Sequence, residues 1–211
     1  YKSNNDIYRV KMINGKFSEP ERLSDAINSE YGEQDPCIAP DESFMIFYSS
    51  RPGHLGKENG EPFAPNLLPD KYWWHSAPAF SSDGKEVYFS AFIKSEAYSE
   101  RIMYMKLDDG HWTSPKIAPF SKYFEGGPCF TPDGNKIFFS SARPFFKGGK
   151  RREDRDIWYV ERNADGWSEP KHTSFNTDTW EDRVYVSDLG NIYYKSNNDI
   201  YRVKMINGKF S

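Results

Sequence analysis

One phrase occurs four times in this chain: EQDPCIAPDESFMIFYSS over 33–50, HSAPAFSSDGKEVYFSA over 75–91, EGGPCFTPDGNKIFFSS over 125–141 and EDRVYVSDLGNIYYKS over 181–196. Each copy is a short apolar run, a turn anchored by an aspartate (Asp41, Asp83, Asp133, Asp188), and a run of alternating aromatic residues. Side chains of a strand alternate between faces, and Asp-Gly, present in the second and third copies, is a tight-turn signal, so the phrase reads as a hairpin. The first and fourth copies keep the Asp without the adjacent Gly. A second phrase follows: DIYRVKMINGKFSEP over 6–20, RIMYMKLDDGHWTSP over 101–115, DIWYVERNADGWSEP over 156–170 and DIYRVKMINGKFS over 199–211. It predicts a strand, a Gly-containing turn and a strand with an inward aromatic (Phe17, Trp112, Trp167, Phe210). After the first hairpin it is eroded to GKENGEPFAPNLL over 56–68.

The repeating unit is therefore four antiparallel strands. Its turn aspartates lie 42, 50 and 55 residues apart, around the roughly 40–50 residues of a propeller blade. Residues 1–18 recur without change as 194–211, an offset of 193 residues that holds four units, the low end of the range of about 4–8 blades. No segment sustains a 3.6-residue apolar period; 19–34 is too polar for a helix and reads as a connection between blades. The expected fold is all-β, a single-domain β-propeller over 1–211 with four blades of four antiparallel strands. Five blades, or a strand-swapped assembly, are the alternatives. The duplicated ends both encode the outer strands of the closing blade, and only one copy can occupy it. A monomeric ring with a spare terminus is expected, with strand exchange into a homo-oligomer as the alternative.

Aromatic residues make up 17% of the chain while all hydrophobic residues reach only 37%, so Phe, Tyr and Trp must build the core, which suits strands. With 28% charged residues and a net charge of −3, the composition argues against disorder, a nucleic-acid surface and a polybasic membrane anchor. No apolar run is long enough to span a bilayer, and the first residues do not read as a secretory signal. Cys37 and Cys129, at one motif position in opposite blades, are expected to be free thiols. No metal or cofactor is expected, and there is no G-x-S-x-G nucleophile elbow.

The connection entering each inner strand brings one polar residue to the mouth of the central channel: Glu33, His75, Glu125 and Glu181. Aromatic residues precede them: Tyr31, Trp74 after Tyr72 and Trp73, Phe124 after Tyr123, and Trp180. Together they form a candidate ligand site for hydroxyl-rich or protein partners; the competing reading is that they lock the repeat. Arg51 and Arg143 could clamp an anion or bond turn aspartates and nearby backbone. The loop 145–156, rich in Lys and Arg with acidic residues interleaved, reads as a solvated, mobile loop.

The combination D-I-Y, G-x-W-S-x-P, I-N-S, E-x-x-P-x-x-x-P-D-G and aromatic-F-S-S-x-R-P resembles the PD40 repeats, also called WD40-like or TolB-like propeller repeats, over nearly the whole chain. The resemblance implies a propeller in an exported, often periplasmic, setting, and names no single function. The expected role is a non-enzymatic binding or scaffold propeller with a protein or carbohydrate partner at the channel mouth. A glycosidase or lyase using two of Glu33, Glu125 and Glu181 is the enzymatic alternative, requiring a carboxyl separation of about 5–5.5 or 6.5–9.5 Å. A propeller permuted or engineered for the study of ring closure is a third reading.

Overall fold

The computed structural model describes residues 6–14, 16–38, 43, 45–50, 63–64, 67, 72–94, 99–197, 199–206 and 209–210, without the side chains of 12, 48, 72–74, 205 and 209. Asp41, Arg51 and most of 56–68 lie outside these residues. The regular structure is β throughout. No helix is long and apolar enough to cross a membrane among the described residues.

Four hairpins stand where the repeated phrase falls. The first sheet pairs Glu33–Ile38 with Met45–Ser49. The second runs Tyr72–Phe80, Glu86–Ile93 and Glu100–Asp108, the last carrying both His111–Trp112 and Lys116–Ile117 on its outer edge. The third repeats this with Glu125–Phe130, Lys136–Ser141, Asp156–Asn163, Gly166–Trp167 and Lys171–His172. The fourth consists of Glu181–Val186, Asn191–Ser196, Asp199–Ile206 and Lys209–Phe210. All neighbouring strands are antiparallel.

The turns follow their sequence. The Ser81 and Thr131 hydroxyls each donate to the aspartate two residues on, Asp83 and Asp133, at 2.6 Å. Gly84 and Gly134 supply the left-handed residue at φ of 67° and 69°. The fourth turn differs from its sequence reading. Gly190, at φ 73°, takes the glycine role and donates to the Ser187 carbonyl at 2.9 Å, so exposed Leu189 stands where the other turns have Asp, one residue beyond Asp188.

Each first strand carries a bulge at one place, between Gln34 and Cys37, Ser76 and Ala79, Gly126 and Cys129, and Asp182 and Tyr185. The bulged residues Asp35, Ala77, Gly127 and Arg183 all have φ between 48° and 60°. Three of the four are not glycine, at a cost of about 1 kcal/mol or more each.

Aromatic clusters fill the spaces between successive sheets. Phe80, Val87, Phe89 and Met105 meet Cys37 and Ile46 of the first sheet; Tyr88, Ile102 and Phe130 meet Phe139 and Trp158 between the second and third; Phe138 and Ile157 meet Val184, Val186 and Tyr194 of the fourth. Cys37 and Cys129 are free, half-buried thiols.

Side-chain amides hold the third strands. Fully buried Asn28 accepts from the Ile7 N–H at 2.6 Å and donates to the Ile7 carbonyl at 2.9 Å. Asn176 treats Ile157 the same way, at 2.7 and 2.9 Å. Each asparagine imitates one more strand: it gives the backbone N–H its acceptor and adds a donor to a carbonyl that Leu23 or Thr173 also reaches. Asn176→Ala is expected to lower stability in urea unfolding by about 2 kcal/mol, the scale of an unsatisfied buried N–H; an unchanged midpoint would contradict this role.

The duplicated segments have different fates. The copy at 199–206 lies on Asn191–Ser196 in register Ser196↔Asp199 to Asn191↔Lys204. The copy at 6–13 pairs only outward, through Tyr8–Arg9 with Glu21–Arg22 and Met12–Ile13 with Lys16–Phe17. Among the described residues, no strand covers its other edge.

Candidate functional site

Glu33, Glu125 and Glu181 each begin a first strand, directly opposite Ser49, Ser141 and Ser196. All three are buried. Glu33 accepts from the Ser29 N–H at 3.1 Å, the Ser29 hydroxyl at 2.7 Å and the Ser49 hydroxyl at 3.0 Å. Glu181 repeats this with the Thr177 N–H at 3.2 Å, the Thr177 hydroxyl and the Ser196 hydroxyl at 3.2 Å. The carboxylate thus ties the incoming connection, four residues back, to the end of the second strand. Glu125 binds the Ser141 hydroxyl at 2.9 Å and forms a buried ion pair with Arg143. Arg143 also donates to the Phe120 carbonyl at 2.9 Å, among the rings of Phe139 and Trp158. Its partners are a glutamate and backbone rather than a turn aspartate.

The fourth position differs. His75 is half-buried against the edge of Phe89, with ring centroids 5.8 Å apart, and burial pushes its pKa down, favouring the neutral ring. Trp74 lies on the strand Tyr72–Phe80, and its side chain is outside the described residues.

Phe124 and Trp180 flank a residue that the sequence reading placed in a mobile loop. The Arg155 guanidinium sits 3.8 Å from the Phe124 ring centre and 5.4 Å from that of Trp180. Arg155 is buried and ion-paired with Glu100 of the second sheet. It donates to the Ser140 hydroxyl at 3.3 Å in the third sheet and lies 4.0 Å from Asp182 in the fourth. Burial pushes the Glu100 carboxyl up, and the Arg155 charge opposes that. The end of the loop is also tied: Arg152 pairs with Asp154 and Asp156, and His172 with Asp156. Arg155 was hidden in a basic run; its one sequence signal is its place immediately before the D-I of the third strand.

An open cleft of about 370 Å³ lies between the outer pair at the N-terminal end and the first and fourth sheets, lined by Asp6, Ile7, Tyr8, Glu33, Gln34, Asp35, Pro36 and Arg183. Arg183 forms an ion pair with Asp35 across it. Both are bulge residues with positive φ, so the strained backbone of two first strands presents opposite charges to each other. No strands of the first and fourth sheets pack together among the described residues; the ion pair spans what the backbones leave open. Of the residues expected at the mouth, Glu33 lines this cleft, Tyr31 is 37% exposed close by in sequence, and Trp180 is 45% exposed. Among the described residues there is no cluster of His, Cys, Asp or Glu able to hold a metal.

Glu125 and Glu181 occupy one motif position in different electrostatic settings. Burial pushes the Glu181 carboxyl up, against the bonds from Thr177 and Ser196. Its ionisation therefore costs stability as pH rises from the ordinary carboxylate value through the raised one. Glu181→Gln is expected to change stability by less than about 1 kcal/mol and to gain on the parent as pH rises above the ordinary carboxylate value. Glu125→Gln leaves Arg143 buried and unpaired and is expected to lose about 3–5 kcal/mol. Equal losses in urea unfolding at pH 7 would contradict this difference.

No family model and no curated protein matches the chain. Solved structures share its architecture, among them two TolB proteins. TolB from Acinetobacter baumannii superposes with a TM-score of 0.54 at 18% identity, over 88% of this chain and 43% of that one. A putative TolB from Agrobacterium tumefaciens gives 0.57 at 20% identity, over 99% of this chain and 73% of that one. The chain spans under half of the first structure and about three quarters of the second. The repeated hairpins, the shared bulge position and these superpositions agree on one architecture: the chain has the TolB-type β-propeller fold.

Proposed function

We propose that this chain is a non-enzymatic binding propeller that takes an extended polypeptide segment in the cleft beside Asp6–Tyr8. The observation that carries this reading is the cleft itself, which the inner edge of Tyr8–Arg9 borders with no strand upon it among the described residues. The Ile7 carbonyl accepts from the Leu23 N–H at 3.1 Å and the Lys11 carbonyl from the Ser18 N–H at 2.8 Å, so the backbone groups of Ile7 and Lys11 face the outer strand. Alternation along a strand turns those of Tyr8 and Val10 to the other edge, where the cleft begins. A peptide added there would gain main-chain hydrogen bonds, with Asp6, Asp35 and Arg183 setting polar preference.

The buried, hydroxyl-bound state of Glu33, Glu125 and Glu181 supports binding over glycoside chemistry, which needs a carboxyl pair open to substrate. The separation of the first and fourth sheets supports five positions over a closed ring of four. The TolB-type fold supports an exported setting.

Selection of displayed random twelve-residue peptides on the immobilised chain tests the reading. Enriched peptides are expected to bind through Val10, so Val10→Pro, which removes an edge N–H without touching the outer pairing, should weaken them at least tenfold. Binders indifferent to Val10→Pro, or no enrichment, would overturn it.

A further inference from the structure

We propose that the loop joining the second and third strands of the third sheet is a docking hook for an anionic lipid surface, with Phe145 and Phe146 entering the apolar layer and Lys147 and Lys150 meeting headgroup phosphates. The inference is independent of the cleft. The loop reads Pro-Phe-Phe-Lys-Gly-Gly-Lys-Arg over 144–151. Phe145 is 59% and Phe146 73% exposed, and Lys147 and Lys150 are exposed beside them. One exposed ring on a surface is ordinary; two adjacent rings on one turn among cations have the composition of an interfacial anchor. The chain as a whole carries a net charge of −3, yet 147–151 holds three cations and no carboxylate. Attraction to a charged surface acts within about 8–10 Å at physiological salt, so the local cluster decides it.

The hook is built, not loose. The Arg152 N–H donates to the Ala142 carbonyl at 2.8 Å and closes its base, and the Gly149 N–H donates to the Phe146 carbonyl at 3.2 Å and closes its tip. Gly148, at φ 84°, supplies the left-handed residue of that turn. A side-chain carbon at Gly149 would lie 2.7 Å from Pro144 and 3.2 Å from the Phe146 ring, so the turn is folded tightly on itself. Phe145 is gripped on its protein side. The Arg152 guanidinium lies 4.1 Å from its ring centre, and the rings of His172 and Trp158 stand at 4.9 and 6.3 Å. Asp154 and Asp156 hold Arg152 in turn. These carboxylates neutralise the base and leave the tip cationic, with exposed Glu153 following in sequence. A hook held this way loses little conformational freedom on docking.

The same end of the molecule carries a further ring suited to an interface. Ser141 stands opposite both Glu125 and Asp156, so the hook lies at the end of the third sheet where its first strand begins. Trp180 precedes the first strand of the fourth sheet, is exposed, and has its ring centre 5.4 Å from the Arg155 guanidinium at the foot of the hook. Tryptophan is enriched at membrane–water boundaries. A lipid surface is favoured over a polypeptide because the rings and ammonium groups stand out on a tip and line no groove. Such a tip matches an anionic layer over an apolar one, whereas a protein partner is recognised through complementary shape. Each cation near an anionic surface is worth about fivefold in partition.

Vesicle sedimentation tests this. The chain is expected to sediment with vesicles of phosphatidylcholine and phosphatidylglycerol, not with phosphatidylcholine alone, and to be released by salt. Phe146→Ala is expected to weaken binding at least fivefold, and Lys147→Gln with Lys150→Gln at least tenfold, with urea midpoints unchanged because these side chains are exposed. Phe146→Trp is expected to keep the affinity and, measured against the parent, to add fluorescence that lipid brominated in its acyl chains quenches. No sedimentation with the anionic vesicles overturns the proposal. Binding indifferent to both sets of substitutions overturns it, and so does quenching of Phe146→Trp no greater than the parent's, which would mean charge attraction without entry of the ring. Soluble polyglutamate bound through the same residues, with vesicles left unbound, overturns the lipid surface in favour of an acidic polypeptide.

Discussion

Arg155 joins three consecutive sheets through one guanidinium, and the interior geometry depends on that joint. Its ion pair reaches Glu100 in the second sheet, its hydrogen bond Ser140 in the third, and its charge Asp182 in the fourth. A buried charge is tolerated only where partners replace the water it has lost. Phe124 and Trp180 close the remaining sides. The aromatic clusters supply the burial, but apolar contacts are non-directional; the polar joint fixes how far one sheet is turned against the next. Gly126 belongs to the same constraint, since a side-chain carbon there would collide with the Glu100 carboxylate.

Two identical stretches of eighteen residues show how little of a strand's state resides in the strand. Tyr201 stacks on Tyr194, with centroids 5.7 Å apart, while Tyr8 faces the cleft. Phe210 is enclosed by three rings, while Phe17 is in solvent. Propensity, turn chemistry and apolar pattern are the same in both, so the difference belongs to what each copy packs against: Asn191–Ser196 for the second, Glu21–Arg22 and Asn28 for the first.

The hairpins were legible in the sequence because Asp-Gly and aromatic alternation are local signals, and local signals sufficed to set strand order within a sheet. The recurrent glutamate was legible as a position but not as a role. What decides the role is a serine or threonine four residues back and a serine across the strand, visible only once Glu33 and Ser49, or Glu181 and Ser196, are paired. The bulges were invisible because only Gly127 among Asp35, Ala77, Gly127 and Arg183 is a residue that suits positive φ. The fourth turn was misplaced by one residue because Asp188 drew attention from Gly190. Arg155 was missed because a charged run looks alike whether its last member points to water or into the core.

The central claim is that, among the described residues, one copy of the duplicated segment is built into a sheet on both edges and the other on only one. Amide hydrogen exchange followed by NMR in dilute solution resolves the two copies residue by residue. Slow exchange at Tyr201 and Val203, with exchange at least a hundredfold faster at Tyr8 and Val10, is the predicted result for a difference of at least about 2.7 kcal/mol in local opening. Equal protection at the two pairs of amides would contradict the account.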